Sequence, residues 1–421
     1  MTTELTLTQD QENAIAAFAS FMLSDDKEMV ISGPAGVGKT TMLRFLLERR
    51  PHEALAQTLG TEVPSNWIFT ATTNKAADVL ARSMNQDCGT IHSTLGLRVF
   101  SDTDSGRTKI VRTDKSQVID NSILIIDEAS MVDSQLLKFI DEGTINCKIV
   151  YIGDHCQLAP VHEPISPVFG DRPRTEINQI VRSQNAPAIT ALAQQLRETV
   201  ETGVFKPILP VPGVIDYLTP AEAEQAVREH FVDTDTEDRI LCYTNRKVIA
   251  FNNYVRNLRQ LPPEVTEGEW LVSNNAVKLS NRKMLQIEQE VRVLGVGEIF
   301  DYTPYDGSPL PVRKLDTICG QILVPVDPVE YHNHIKAYSR RKAWMPYFEL
   351  KERIADLRPR DASTVYKAQG STYRTTFVDL RDIGTCTNPS QAARMLYVAC
   401  TRPTHQLKFI GDLPPRFKGN D

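Results

Sequence analysis

The fold follows from one stretch of the chain, Gly33-Pro34-Ala35-Gly36-Val37-Gly38-Lys39-Thr40, which fits the pattern G-x-x-x-x-G-K-[ST]. A β-rich run at 29–32 precedes the stretch and a helical pattern at 41–49 follows it, as a functional phosphate loop requires. Backbone N–H groups of such a loop surround a phosphate, while the lysine reaches the β and γ oxygens and the threonine can bind Mg²⁺. The sequence therefore predicts an ATP and Mg²⁺ site with the candidate ligands Gly33, Gly36, Gly38, Lys39, Thr40 and Thr41.

Strand and helix patterns extend outward from this loop. Short β-rich runs at 67–70, 122–126 and 148–152 alternate with helical patterns, which predicts a parallel α/β sheet. A second region of the same kind begins near residue 187 and is interrupted at 261–263 by Leu-Pro-Pro. The interruption indicates that a separate, β-rich unit is inserted there.

We therefore expect an α/β protein of two similar domains, each carrying an insertion. A polar stretch in the first domain, with the turn signal Asp104-Ser105-Gly106, predicts a β-hairpin. The predicted bounds are 1–97 with 119–185 for the first α/β domain, 98–118 for the hairpin, 186–261 with 359–421 for the second α/β domain, and 262–358 for the inserted β-rich domain with its helical return.

Composition excludes several classes of protein. Lys and Arg number 47 against 53 Asp and Glu, so the net charge of −6 provides no overall attraction for a polyanion, and a nucleic acid site must be a local groove. The seven cysteines are scattered and show no metal-binding spacing. No apolar run reaches the ~20 residues that span a bilayer. We expect a cytoplasmic protein without membrane contact.

Acidic and amide side chains follow two further strands. Asp127-Glu128 ends the apolar run 123–126, where a carboxylate at the carboxyl edge of a parallel sheet faces the nucleotide. Asp127 is a candidate Mg²⁺ ligand beside Thr40, and Glu128 is a candidate for polarising the attacking water. Gln157 follows the next strand and could sense the γ-phosphate, although the same segment also fits an ordinary strand-to-loop turn.

The order of these segments resembles superfamily 1 helicases of the 5′-to-3′, RecD-like branch, and in particular the phage Dda helicases. The resemblance covers most of the chain, and seven segments in family order are far more specific than one. It implies adenine contact by Gln11, catalysis by Lys39, Asp127, Glu128 and Gln157, and arginines directed at the γ-phosphate. Those catalytic arginines are Arg182, in Ile180-Val181-Arg182-Ser183, and Arg402, at the end of 396–402.

The same resemblance implies a set of nucleic-acid contacts. They are Thr70, Thr72, Asn74 and His92 in the first domain, Phe100 in the hairpin, and Thr364, Lys367 and Gln369 in the second domain. The chain departs from the family at Tyr366, where a histidine is usual, and at Ala399-Cys400, where a glycine-rich position is usual. Neither departure removes a phosphate ligand.

The resemblance also completes the expected architecture. It implies two RecA-like P-loop domains, the hairpin as a strand-separating pin, and an SH3-like character for the inserted β-rich domain. Phe100 would stack on the last base pair at the fork, and packing at the base of the hairpin is the alternative role for that ring. Segment 331–360 carries eight Lys or Arg and three acids with aromatics between them, which fits either a strand path or a helix with inward rings.

The predicted function is an ATP-dependent DNA helicase that moves 5′ to 3′ on single-stranded DNA and unwinds forked duplex, in phage replication or recombination. Expected partners are single-stranded DNA and forked duplex DNA, with single-strand-binding or other replication proteins as further candidates, and a monomer is expected. Two alternatives remain open: an ATPase that translocates on or remodels RNA or nucleoprotein without unwinding, and a nucleotide-gated scaffold for a replication partner.

Overall fold

The computed structural model describes residues 6–101, 108–113, 116, 118–160, 163–179, 186–279 and 284–419, with the backbone alone at 99–101 and 108–109. In that part of the chain, no helix combines the length and the apolar character that crossing a bilayer requires.

The first domain is a parallel α/β unit. Its helices and strands are α1 Gln9–Met22, β1 Glu28–Ser32, α2 Lys39–Arg49, α3 Pro51–Leu59, β2 Asn66–Ala71, α4 Asn74–Met84, β3 Cys88–Thr90, α5 Ile91–Thr94, β4 Leu97–Ser101, β5 Thr108–Arg112, β6 Ile119–Asp120, β7 Ser122–Asp127, α6 Ser134–Glu142, β8 Thr144–Ile145, β9 Lys148–Gly153 and β10 Arg174–Glu176. The main sheet has the order β10-β1-β9-β7-β2-β3 with every pair parallel. The carboxyl ends of β1, β9 and β7 therefore lie side by side.

Burial explains why the central strands read as apolar runs. Strands β1, β7 and β9 are buried along nearly their whole length, since helices cover both faces of the sheet. Two hydrophobic clusters fill the two faces, one containing Ile31 and Ile125 and the other containing Val30 and Leu124. Alternate residues of one strand thus serve opposite cores.

A two-stranded hairpin lies where the insertion in the first domain was predicted. Strands β4 and β5 pair antiparallel, from Leu97 opposite Arg112 to Ser101 opposite Thr108. The predicted turn at Asp104-Ser105-Gly106 and the side chain of Phe100 lie outside the described residues.

The second domain is a similar unit with a long insertion. Its elements are α7 Pro187–Thr202, β11 Ile215–Leu218, α8 Pro220–Phe231, β12 Arg239–Cys242, α9 Asn245–Leu258, β13 Trp270–Ser273, β14 Val277–Lys278, β15 Met284–Leu285, β16 Glu290–Tyr302, β17 Leu310–Thr317, β18 Gly320–Pro325, α10 Pro328–Arg341, α11 Trp344–Arg353, β19 Leu357–Pro359, β20 Ala362–Thr364, α12 Val365–Ala368, β21 Tyr373–Asp379, α13 Leu380–Ile383, α14 Pro389–Cys400 and β22 Pro403–Ile410. The parallel sheet has the order β11-β22-β21-β12-β20. Two parallel sheets in one chain confirm the predicted α/β fold class.

The insertion is an antiparallel sheet in the order β18-β17-β16-β13-β19. Along the chain, helices α10 and α11 lie between β18 and β19. Tyr331, Tyr338 and Phe348 of these helices are buried, and both tyrosines pack in a cluster with Leu310 and Val312. Of the two interpretations of segment 331–360, the structure therefore favours the helices with inward rings. The SH3-like character of the inserted domain stays a prediction.

Candidate nucleotide and strand sites between the two domains

The phosphate loop connects β1 to α2, and its shape depends on glycine. Gly38 has a φ of 75°, in the left-handed region, and a Cβ there would lie 2.5 Å from Nε2 of Gln11. A Cβ on Gly33 would lie 2.4 Å from a backbone carbonyl oxygen. Nζ of Lys39 donates to the carbonyl oxygens of Gly33 and Pro34 at 2.8 and 2.9 Å, which places the ammonium over the loop.

Gln11 is held by the loop and by the first turn of α1, in which it lies. Its Nε2 donates to the carbonyl oxygen of Val37 at 2.8 Å, and its Oε1 accepts from the N–H of Thr8 at 2.9 Å in a capping box. Gln11 is buried, so its amide supports the phosphate loop from behind. The predicted contact with adenine stays a prediction.

Asp127 and Glu128 end β7 beside the loop. Burial, and then the charge of Glu128, raises the pKa of Asp127 to about 6, while Lys39 acts in the opposite direction. The N–H of Glu128 donates to Oδ1 of Asp127 at 2.9 Å, and Glu128 itself has a φ of 53°. Two neighbouring carboxylates near one ammonium fit a divalent cation, because Mg²⁺ prefers carboxylate oxygen and would balance the excess negative charge.

The loop after β9 enters the second domain. Asp154 is fully buried and accepts from Nη1 of Arg197 and from the hydroxyl of Tyr397, each at 2.6 Å. Cys156 and Leu158 of the same loop lie in the hydrophobic core of the second domain. The loop therefore anchors the first domain in the second, and the ion pair that fixes it was not anticipated from sequence.

Arg394 holds the same loop from the second domain. Its Nη1 donates to the carbonyl oxygen of Gln157 at 2.7 Å and to that of His155. Sequence reasoning missed Arg394, although it is a charged residue within the otherwise buried run of α14, a position that charges rarely occupy without a partner. The side chain of Gln157 is buried and its Oε1 has no hydrogen-bond partner among the described residues, so its contact with the γ-phosphate stays a prediction.

The two arginines predicted to reach the γ-phosphate are placed differently. Arg402 is buried within the second domain, where its guanidinium donates to the carbonyl oxygens of Val398 and Ser371 and to the hydroxyl of Thr401. In this conformation the guanidinium stabilises the end of α14. Arg182 lies outside the described residues.

Gln369 joins the predicted strand segment to the predicted catalytic residues. Its Nε2 donates to Oε2 of Glu128 at 3.3 Å and to the hydroxyl of Ser130 at 2.9 Å. Gln369 follows α12, and Thr364 caps that helix by accepting from the N–H of Lys367. A strand that moved α12 would therefore move a direct partner of Glu128.

The predicted strand contacts of the first domain include two threonines and a histidine. The hydroxyls of Thr70 and Thr72 donate to the carbonyl oxygens of Ile125 and Glu128, so both threonines tie β2 to the end of β7. His92 is partly buried, and burial lowers its pKa while Asp133 acts against the shift.

Asn74 lies at the surface where the first domain meets the insertion. Its Nδ2 donates to Oε1 of Gln286 at 3.2 Å. This hydrogen bond ties a predicted strand contact of the first domain to the inserted domain.

Comparisons with known proteins agree with this arrangement. Residues 6–206 match the family described as an AAA domain, and residues 361–410 match the UvrD-like helicase C-terminal domain. The second match covers the segment that carries Thr364, Gln369 and Arg394. Two RecA-like domains joined around one phosphate loop, together with these matches, support the assignment of the chain to the class of superfamily 1 helicases.

Particular relatives narrow the class. The chain is 25% identical over 458 residues to the ATP-dependent DNA helicase dda of Enterobacteria phage T4. This alignment covers 96% of this chain and 99% of that protein. It is 36% identical over 80 residues to the RecBCD enzyme subunit RecD of Buchnera aphidicola, and that alignment covers 19% of this chain and 12% of the RecD chain. The solved structure of Pif1 helicase from Bacteroides in complex with ADP-AlF3 and ssDNA has a TM-score of 0.54 at 16% identity and covers 99% of this chain and 95% of its own.

Proposed function

We propose that this ATP-dependent DNA helicase moves 5′ to 3′ along single-stranded DNA and separates forked duplex. The observation that carries the proposal is the contact between Gln369 and Glu128, because it connects a strand-binding segment of one domain to a catalytic residue of the other. The full-length similarity to a DNA helicase supports DNA as the nucleic acid.

The chemistry falls to residues around the phosphate loop. Lys39 neutralises the β- and γ-phosphates, which would draw its ammonium from the loop carbonyls. Thr40 and Asp127 would hold Mg²⁺, which supplies charge neutralisation when bound with the nucleotide. Glu128 orients the attacking water, and Gln369 restrains the carboxylate that does so. Arg182 and Arg402 are proposed to add positive charge at the γ-phosphate when the domains close.

Movement along the strand requires that hydrolysis change the position of one domain relative to the other. The loop around Asp154 keeps the domains joined on one side, since breaking its buried ion pair would leave Arg197 with only the partly exposed Glu201 as a counter-charge. Opening and closing would therefore pivot about this loop, and Arg394 would carry a shift of the loop directly into α14. Alternating grip on the strand by Asn74 and by Lys367 then gives net steps.

A forked DNA substrate tests the proposal. Wild-type protein with ATP should release the displaced strand and show ATP turnover stimulated by single-stranded DNA, whereas Lys39→Ala should fold normally and do neither. Stimulated turnover without strand release would support the translocating or remodelling ATPase instead. Nucleotide binding without turnover would support the gated scaffold.

A further inference from the structure

A strongly basic pocket lies between the second domain and the inserted sheet. It is lined by five cationic side chains and two carboxylates, together with uncharged residues. The charged groups are Lys75, Arg239, Arg358, Arg360, Lys367, Glu288 and Glu290. Lys75 comes from the first domain, so the pocket opens where all three parts of the chain meet.

The two carboxylates have different surroundings. Glu290 accepts from Arg239 at 3.1 Å and from Arg360 at 3.0 Å, and these arginines also lie over the rings of Tyr373 and Trp270. Glu290 therefore belongs to a fixed structural network. Glu288, in contrast, projects from a turn.

The turn spans 286–289 and is closed by a bond from the N–H of Gln289 to the carbonyl oxygen of Gln286. Glu288 has a φ of 64°, a conformation that favours glycine or asparagine over a side chain of this length. The conformation aims the carboxylate at Lys367, whose Nζ donates to Oε1 of Glu288 and, at 2.7 Å, to Oδ1 of Asn274.

The same turn also touches the first domain, because Gln286 accepts from Asn74. One short segment thus holds two of the predicted strand contacts, one from each domain, at the same time. A phosphate group offers Lys367 the same charge-assisted oxygen acceptor that Glu288 offers.

We propose that Glu288 stands in for a phosphate of the single strand: its carboxylate holds Lys367 until a strand phosphate displaces it. The proposal rests on the proposed function, since it takes Lys367 as a strand contact. Displacement releases the turn from the second domain and so links strand entry to movement of the inserted domain. It also keeps the site from binding other anions, because each must first break the pair with Glu288.

Affinity for a fluorescent oligothymidylate, measured by anisotropy at fixed low salt, tests the proposal. Glu288→Gln keeps the shape of the side chain and removes its charge. We expect this variant to bind the oligonucleotide about fivefold more tightly, a change in affinity that corresponds to losing one partly exposed ion pair. Glu298→Gln makes the same change of net charge at an exposed position of β16 and should bind as the wild type does.

A second background separates competition from a structural effect. In Lys367→Ala the gain from Glu288→Gln should vanish, because the side chain for which the carboxylate competes is gone. Equal or weaker binding by Glu288→Gln than by wild type would overturn the proposal, as would a gain that persists without Lys367. Wild-type protein that does not bind the oligonucleotide would instead refute the proposed function.

Discussion

The buried ion pair of Asp154 predicts a large and specific loss of stability. Asp154→Asn preserves the volume but removes the charge, so Arg197, whose side chain is 6% exposed, faces a neutral amide. Breaking such a pair costs about 3 to 5 kcal/mol. Glu201 also forms an ion pair with Nε of Arg197 at 3.3 Å, but it is 42% exposed and compensates only in part, so we expect a loss of about 3 kcal/mol.

Tyr397→Phe is the matched control, because it removes one donor to the same carboxylate and leaves the ion pair intact. Loss of a hydrogen bond to a charged group costs ~1.5 kcal/mol when other donors remain. Urea unfolding of both variants, followed by fluorescence and by circular dichroism, gives the two free energies. A smaller loss of unfolding free energy in Asp154→Asn than in Tyr397→Phe would refute the view that this loop anchors the first domain in the second.

Three further predictions concern coupling and pH. Arg394→Met should retain nucleotide binding and lose most strand-stimulated turnover, measured by phosphate release, and normal turnover would show that α14 does not control the loop after β9. Gln369→Ala should bind single-stranded DNA but stimulate hydrolysis only weakly, and full stimulation would contradict its link to Glu128. Burial lowers the pKa of His52, so the unfolded chain binds the extra proton and stability should fall by up to ~1.4 kcal/mol per pH unit below about 6.5. His52→Met should reduce the slope by this contribution in urea titrations at several pH values, and an unchanged slope would assign it to other groups.

Local motifs explain why the strand ends that form the candidate nucleotide site could be predicted. The phosphate loop and Asp127-Glu128 each combine a strand with the residues that follow it, and a parallel sheet brings those strand ends together. The fold class follows from the same alternation of strands and helices. The residues concerned are close in sequence to the element that positions them.

Contacts between the domains could not be predicted in the same way. Arg394 and Gln369 meet partners more than two hundred residues away, and no sequence pattern specifies that distance in space. Arg402 matched a motif, yet its guanidinium donates here to the carbonyl oxygens of Val398 and Ser371 in its own domain. The aromatic residues of segment 331–360 fitted either a stacking surface or an inward-facing core, because tyrosine and phenylalanine serve both purposes, and the structure buries Tyr331, Tyr338 and Phe348 in the insertion.

We propose that ATP hydrolysis drives the chain 5′ to 3′ along one strand and so separates the duplex ahead of it. The most direct measurement compares two duplexes of identical sequence, one with a 5′ single-stranded tail and the other with a 3′ tail, each incubated with protein, ATP and Mg²⁺ and a trap for released strands. We expect strand release from the 5′-tailed duplex and none from the 3′-tailed duplex. Release from the 3′-tailed duplex alone, or from neither while the single strand still stimulates hydrolysis, would contradict it.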